Sequence, residues 1–226
     1  MPFCSDLKVL FPKYDFGIRQ DMVSITETSQ DSKVKEVKWI NSDFQYFDAQ
    51  IVKELSSIFQ KSKSPKIFKY DCDGIIIFDG GNGSKYMFLT ELKSAFDSTD
   101  IFKARNQIIS SFMKINLILN LVRGYNLNDF IVKGFIASQE PNSNSIWNIS
   151  KSSFLKPGEK YQSEAEFVSQ LCSKNRHTTI KPQNCYELKD LPLGENGIFR
   201  KIEFYYIPVP KDQQSITIDV TKYTIG

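Results

Sequence analysis

The chain has 226 residues, of which 41% are hydrophobic and 24% are charged, as in globular proteins with one sizeable core. Its formal net charge of +3 neither indicates nor excludes a nucleic-acid binder, because phosphate binding depends on how basic residues are clustered. The four cysteines are scattered without a CxxC pair, which argues against a structural zinc site and against a disulfide framework.

The amino-terminal segment MPFCSDLKVLFPKYDFG has no basic region followed by an apolar one, and it therefore does not resemble a signal peptide. The longest apolar stretch, from Ile115 to Val122, is interrupted by two asparagines and is too short to span a bilayer. We therefore expect a cytoplasmic protein without a membrane partner.

Residues 1–41 form an amino-terminal extension with two candidate strands, VSITE and VKEVKWI, on either side of the polar turn TSQDSK. From Ser42 the pattern becomes helical, because Ser42 and Gln45 have the spacing of a capping box. Apolar residues then recur at steps of three and four, at Phe44, Phe47, Ile51, Leu55 and Ile58. The sequence predicts an amphipathic helix that begins at Ser42 and ends near Pro65.

The next two segments, KIFKYDCDGIIIF and YMFLTELKSAF, are rich in β-branched and aromatic residues and are joined by DGGNGSK. This pattern predicts a β-hairpin, and a bend at Asp71 to Gly74 would divide its first strand into two. DSTD then offers N-cap residues for a second helix, and DFIVKGFIAS follows as a strand. The order of helix, strands, helix and strand predicts an α/β core over residues 42–139 that ends in a parallel crossover.

Residues 140–226 are less regular, and we assign them as a carboxy-terminal extension of one single domain. PNSNS is typical of a loop, SEAEFVSQLCSK of a short helix, and IFRKIEFYYIPVP and QSITIDVTKYT of strands. Substrate recognition, oligomerisation and a cover for the sheet are all open as roles for this extension.

Charged side chains interrupt both apolar segments of the predicted hairpin. Because side chains alternate along a strand, Glu91 and Lys93 share one face of the second segment. By the same rule Asp71 and Asp73 share one face of the first segment. Such charges are costly in an apolar sheet unless they are paired or bound to a metal ion. An ion pair between Asp73 and Lys93 would suffice, and so would Mg²⁺, which takes one or two carboxylates with water and phosphate.

The string DGIIIF, the hairpin, LTELK on a strand and a helix that contains KARNQ together resemble the PD-(D/E)xK nuclease superfamily. That superfamily includes many restriction endonucleases, repair nucleases and Holliday-junction resolvases, and the resemblance covers somewhat under half of the chain. It implies a restriction endonuclease-like α-β-β-β-α-β core, in which a mixed central sheet is flanked by helices. It also implies hydrolysis of phosphodiester bonds with Mg²⁺, for which Mn²⁺ can substitute.

The resemblance assigns roles to three residues of the hairpin. Asp73 corresponds to the metal-binding aspartate of the second motif, and Glu91 and Lys93 correspond to the acidic residue and the lysine of the third. The backbone carbonyl of Leu92 would be a further metal ligand. The residue before Asp73 is Cys72 in place of the proline of the motif, which many branches of the superfamily also lack. Asp71 competes with Asp73 for the ligand role.

Two helical residues complete the assignment that the resemblance implies. Glu54 would be the optional acidic metal ligand of the first helix, although a residue at the edge of the apolar stripe is the plainer interpretation. Gln107 resembles the glutamine that several branches carry on the helix after the third motif, where it would position water or phosphate. A plain boundary position on the helix is the alternative for Gln107.

Four basic residues are candidates for contacts with nucleic-acid phosphates. Lys103 and Arg105 lie at the start of the second helix, and Lys174 and Arg176 lie in the run KNRHTTIK. A solvent-facing surface is the alternative for both pairs. His177, the single histidine, lies in the same run, and we expect a structural role for it.

A second Glu-Leu-Lys tripeptide runs from Glu187 to Lys189, close to Pro192 and Gly194. No apolar strand with an aspartate precedes it and no capped helix follows it. We therefore expect it to be a solvated loop or strand end, and context rather than the tripeptide itself distinguishes the first copy.

These patterns predict a metal-dependent nuclease that favours DNA over RNA, in a setting of restriction, phage defence, mobile elements or repair. A homodimer is expected from the resemblance alone. One alternative is a catalytically silent member of the same fold that serves as a binding or assembly module. Another is an unrelated α/β interaction protein in which the first Glu-Leu-Lys is accidental.

Overall fold

The computed structural model describes residues 2–80, 83–141, 158–194 and 201–224, so the predicted loop PNSNS lies outside it apart from Pro141. The described ranges contain five α-helices: α1 (Pro2–Leu10), α2 (Gln50–Lys61), α3 (Ser98–Leu119), α4 (Glu159–Cys172) and α5 (Thr221–Thr224). Short 3₁₀ turns cover Lys66–Lys69, Leu127–Asp129 and Pro182–Asn184. None of the helices in these ranges is long and apolar enough to cross a membrane.

The same ranges contain eight strands, which form one mixed sheet. They are β1 (Phe16–Thr26), β2 (Glu36–Phe47), β3 (Gly74–Asp79), β4 (Lys85–Lys93), β5 (Phe130–Gln139), β6 (His177–Ile180), β7 (Ile202–Val209) and β8 (Ser215–Asp219). The strand order is β1-β2-β3-β4-β5-β7-β6, and β8 pairs with β2. The predicted hairpin of β3 and β4 is present, and β4 runs parallel to β5 as the predicted crossover requires. The predicted α/β class with a mixed central sheet flanked by helices is therefore confirmed.

The helical face of the sheet is built around α3, which crosses from the end of β4 to the start of β5. Its N-cap is Asp97, whose side chain accepts hydrogen bonds from the backbone N–H groups of Thr99 and Asp100. Most of its residues are buried, because α3 packs on the sheet with one side and against α2 and α4 with others. The buried apolar residues of α3 join those of β3, β4 and β5 in one core cluster.

The opposite face of the sheet is covered by the chain itself. Strand β2 bends at Asn41, which has a positive φ of 70°, and its two halves pair with different partners: residues 36–40 with β8 and residues 44–46 with β3. Trp39 in the first half therefore lies across the sheet, with its ring centroid 5.3 Å from that of Phe88 and 4.6 Å from that of Phe135. This fold-over creates a second, largely aromatic core cluster.

The predicted start of the first helix at Ser42 is wrong. Ser42 to Phe47 continue β2, and the helix begins at Gln50, whose N–H is bonded by the side chain of Asp48. Phe44 and Phe47 are an odd number of positions apart, so in a strand they point to opposite faces, and both faces of this sheet bury apolar side chains. Ile58, predicted to lie in the apolar stripe, is 59% exposed.

The order of strands also differs from the one that the resemblance implies. Among the described residues between α2 and α3 there are two strands rather than three, because residues 66–69 form a 3₁₀ turn. The further strand beside β3 is β2, which precedes α2 in the chain. Strands β1, β7 and β6 extend the sheet at its two ends, so residues outside 42–139 complete it.

Candidate active site

Asp73 and Glu91 are brought opposite each other by the register of the hairpin. The last registered pair of β3 and β4 is Gly74 with Thr90, and one further step in each strand places Asp73 opposite Glu91. Two bonds extend the pairing to this position: Asp73 N–H donates to the carbonyl of Thr90 at 3.1 Å, and Leu92 N–H donates to Oδ2 of Asp73 at 2.7 Å. The predicted convergence of the two carboxylates follows from this register.

Glu91 is an acidic residue buried in the core of the protein, with only 1% of its surface exposed. Its Oε1 accepts a hydrogen bond from Nζ of Lys93 at 2.5 Å. Its Oε2 is buried and has no hydrogen-bond partner among the described residues. Leaving a buried carboxylate oxygen unpartnered is unfavourable, so this atom is available to a ligand that the polypeptide does not supply.

Lys93 and Gln107 complete the polar cluster. Lys93 Nζ donates a second hydrogen bond to Oε1 of Gln107 at 2.8 Å, and Gln107 Nε2 donates to the backbone carbonyl of Asp71 at 2.8 Å. The side-chain amide of Gln107 is thereby fixed between Lys93 on β4 and the backbone of Asp71 in the segment before β3. The structure brings Asp73, Glu91, Lys93 and Gln107 together as the sequence predicted.

Burial and mutual repulsion perturb both carboxyl groups. Desolvation raises the pKa of Asp73 to about 6, partly opposed by the hydrogen bond from Leu92 N–H. Desolvation, together with the charge of Asp73, raises the pKa of Glu91 to about 8, although Lys93 acts in the opposite direction. Two neighbouring carboxyl groups with raised pKa values favour a bound cation, because a cation stabilises the ionised form of both.

Asp71 occupies a different environment from Asp73. Its Oδ1 lies 3.0 Å from Nζ of Lys114, and it also accepts a hydrogen bond from the hydroxyl of Ser56. Lys114 is 1% exposed and its burial lowers its pKa. The carboxylate of Asp71 is thus engaged between α2 and α3, whereas Asp73 lies opposite Glu91. The one sign of this pair in the sequence is that Lys114 lies among the apolar residues Phe112, Met113 and Ile115.

Glu54 lies on α2 but is held by the amino-terminal segment. It accepts hydrogen bonds from Lys13 Nζ at 3.1 Å and from the hydroxyl of Tyr14, and these contacts lower its pKa. The neighbouring Lys53 instead acts on the site, because its charge lowers the pKa of Asp73, whereas the charge of Glu27 raises it. Neither Lys53 nor Glu27 was predicted, since no motif marks them.

The residues fit a divalent cation that takes few protein ligands. Within the described ranges no group of three or more His, Cys, Asp or Glu side chains is arranged to hold a metal ion. Mg²⁺ needs fewer, because it typically binds one or two carboxylates and keeps several waters. Oε2 of Glu91 is unpartnered, and Asp73 lies opposite. The Leu92 carbonyl is directed to the same side as its N–H, which bonds Asp73.

The four predicted phosphate contacts have different surroundings. Lys103 is exposed on α3, whereas Arg105 is 1% exposed and cannot reach a phosphate at the surface. Lys174 and Arg176 are exposed in the turn before β6, where Arg176 pairs with Glu140 at 3.3 Å. Strand β6 lies three positions from β4 in the sheet, roughly 14 Å away at the usual strand spacing. The predicted phosphate contact of Arg105 is wrong, because its guanidinium is buried and pairs with Glu187.

The second Glu-Leu-Lys explains the burial of Arg105. Glu187 lies in a turn, as expected, but its side chain is only 18% exposed. Its Oε2 is 2.7 Å from Nη2 of Arg105, and its Oε1 accepts a hydrogen bond from the side-chain amide of Asn106 at 3.4 Å. The guanidinium carbon of Arg105 also lies 3.8 Å from the centroid of the Phe102 ring. Glu187 therefore joins the carboxy-terminal region to α3.

No protein-family model, curated protein or solved structure matches this chain in the three comparisons with known proteins. A function for the site must therefore be inferred from the geometry of Asp73, Glu91, Lys93 and Gln107.

Proposed function

We propose that this protein is a metal-dependent nuclease that hydrolyses phosphodiester bonds, with DNA as the favoured substrate. The observation that carries the proposal is Glu91, a buried carboxylate that faces Asp73 and has one oxygen without a partner. A structural ion pair with Lys93 alone would not require a second carboxylate opposite, since the second negative charge destabilises the ionised form of the first. The PD-(D/E)xK resemblance supplies the reaction class.

Asp73, Glu91 and the carbonyl of Leu92 would hold Mg²⁺, or Mn²⁺ in its place. When bound, the ion polarises a phosphate oxygen and lowers the pKa of a water molecule enough for it to act as the nucleophile. The protein's part is to hold the two carboxyl groups opposite each other, which the strand pairing at Thr90 achieves. The hydrogen bond from Leu92 N–H also favours the ionised form of Asp73.

Lys93 would stabilise negative charge that develops on the phosphate, or orient the attacking water. Its ammonium is held by Glu91 and Gln107, so its position is set before a substrate arrives. Gln107 is itself fixed by the carbonyl of Asp71. This preorganisation is favourable for catalysis because little rearrangement is needed during the reaction.

The test is incubation of the purified protein with plasmid, linear and single-stranded DNA and with RNA, in Mg²⁺, Mn²⁺ or EDTA. Glu91→Ala and Lys93→Ala are compared with wild type, and Lys189→Ala, the exposed lysine of the second Glu-Leu-Lys, is the matched control. We expect cleavage that needs the metal and is lost in the first two variants only. Cleavage that persists in both would overturn the site assignment, and a lack of cleavage on every substrate would favour the catalytically silent module.

A further inference from the structure

A cleft of about 270 Å³ lies along the first turns of α3. Its walls include Lys66 and Tyr70 from the segment before β3, and Phe102 and Lys103 from α3. Tyr70 directly precedes Asp71, whose carbonyl bonds Gln107, and Lys103 lies one helical turn before Gln107. The two segments that line this part of the cleft therefore also hold Gln107, although Asp73, Glu91, Lys93 and Gln107 do not themselves line it.

The chemistry of this cleft combines an aromatic ring with two cations. Tyr70 is partly exposed, and Lys66 and Lys103 are exposed. Nζ of Lys66 lies over the Tyr70 ring, 5.8 Å from its centroid, so the two side chains are neighbours in the wall of the cleft. Glu187 also lines the cleft, but its charge is compensated by Arg105. Glu164 is the remaining acidic residue of the wall.

We propose that this cleft binds one nucleotide of a single strand, next to the phosphate that the active site attacks. Tyr70 provides a surface on which an unstacked base can lie, and Lys66 and Lys103 contact the flanking phosphates. The inference rests on the proposed nuclease function. It narrows the substrate to single-stranded or frayed nucleic acid.

The size and the ring together favour a single strand over a duplex. Inside a duplex each base is covered on both faces by its neighbours, so an aromatic side chain reaches a base face only where that base is unstacked. A cleft of about 270 Å³ is too small to enclose a double helix. Contacts with phosphates alone would bind a single strand or a duplex, and only the Tyr70 ring would favour the single strand.

The experiment measures the binding of a short labelled oligonucleotide by fluorescence anisotropy, in the Glu91→Ala background so that it is not cleaved. The same sequence is offered as a single strand and as a blunt duplex. We expect the single strand to bind at least about tenfold more tightly, and Tyr70→Ala to weaken it about 5-fold to 150-fold, the range for loss of one base stack. Tyr70→Phe should retain the affinity. Lys103→Glu should weaken binding, whereas Lys61→Glu, an exposed lysine of α2 outside the cleft, should not.

Equal affinity for strand and duplex, or a Tyr70→Ala variant that binds as well as its parent, would overturn the inference. Lys103 is exposed, so its variant reports on the cleft even if Tyr70→Ala folds poorly. The two proposals fail separately. Cleavage that depends on Glu91 but not on Tyr70 would contradict the proposed role of the cleft and support the nuclease function. Binding of single-stranded nucleic acid that depends on Tyr70, without any cleavage, would contradict the nuclease function and support the proposed role of the cleft.

Discussion

The chain contains the tripeptide Glu-Leu-Lys twice, at residues 91–93 and 187–189, and the two copies have opposite surroundings. In the first, Glu91 is buried in a strand, faces another carboxylate and has one oxygen without a partner. In the second, Glu187 lies in a turn, and both of its oxygens accept hydrogen bonds from α3. Each glutamate has a cationic partner, so an ion pair alone does not distinguish them.

What separates the two copies is whether the polypeptide satisfies the carboxylate. Glu187 is satisfied by Arg105 and Asn106, and its role is to stabilise the fold. Glu91 is left with an unpartnered atom and a repulsive neighbour, a cost that folding alone does not explain. A buried carboxyl group with an unpartnered oxygen is thus a better indicator of a candidate site in this protein than the sequence motif.

The largest expected effect is on activity. Glu91→Ala should lower the rate of DNA cleavage at least about 10³-fold, because loss of a metal ligand removes several kcal/mol of transition-state stabilisation. The fold should survive, since the variant also removes a buried carboxyl group. Initial rates of plasmid cleavage and a thermal melt check both points. An active Glu91→Ala protein, or one that is unfolded, would contradict the contrast between the two copies.

The second effect is on stability. Glu187→Ala should leave cleavage within a few-fold of wild type but lower the free energy of unfolding by about 2–3 kcal/mol, because Arg105 stays buried without its carboxylate. The expected loss is below that of a fully buried pair, since the Glu187 side chain is 18% exposed. Urea unfolding measures it. Lys189→Ala is the control and should change stability by less than about 0.5 kcal/mol.

Much of the site was predictable because it is local in sequence. Asp73, Glu91 and Lys93 are joined by one hairpin, so strand alternation and a turn suffice to bring them together. Gln107 was assigned through the resemblance to the PD-(D/E)xK superfamily, not through a local pattern. Arg105 was misassigned because its partner, Glu187, is 82 positions away, and no local pattern announces a pair of that kind.

The fold was less predictable where two interpretations share one pattern. Phe44 and Phe47 fit a helical stripe, but they also fit a strand whose two faces are both buried. The part of β2 before the bend at Asn41 pairs with β8, which lies far along the chain. The metal-ligand role of Glu54 was implied by the resemblance alone, and its contacts with Lys13 and Tyr14 involve a segment without a clear pattern. The structure of residues 42–47 and the contacts of Glu54 both depend on residues that are distant in the sequence.

The third effect is linked to pH and metal. The pKa of Glu91 is raised from 4.5 to about 8, so between those pH values the folded protein holds a proton that the unfolded chain does not. Without metal, stability should therefore fall as pH rises through this window. Mg²⁺ favours the ionised form, and its stabilisation should be larger at the upper end, approaching about 2.7 kcal/mol at 100 times the dissociation constant.

Thermal melts at both ends of that pH window, in Mg²⁺ or EDTA, measure this linkage. Glu91→Gln should flatten the pH dependence without metal and abolish most of the Mg²⁺ effect, because the titrating ligand is gone. Glu187→Gln is the matched control from the second copy and should keep the Mg²⁺ effect. A Mg²⁺ effect that is equal at both pH values would show that Glu91 does not take part in metal binding.

The smallest effect concerns Gln107, which holds Lys93 in place. Gln107→Ala should lower kcat about tenfold with little change in KM, because the Lys93 ammonium loses one of its two partners and its position becomes less defined. Single-turnover cleavage rates check this, with Gln60→Ala, an exposed glutamine of α2, as the control. A variant with wild-type kcat would mean that Glu91 alone positions Lys93. In that case the first Glu-Leu-Lys is held entirely by its own strand, and α3 contributes packing rather than catalysis.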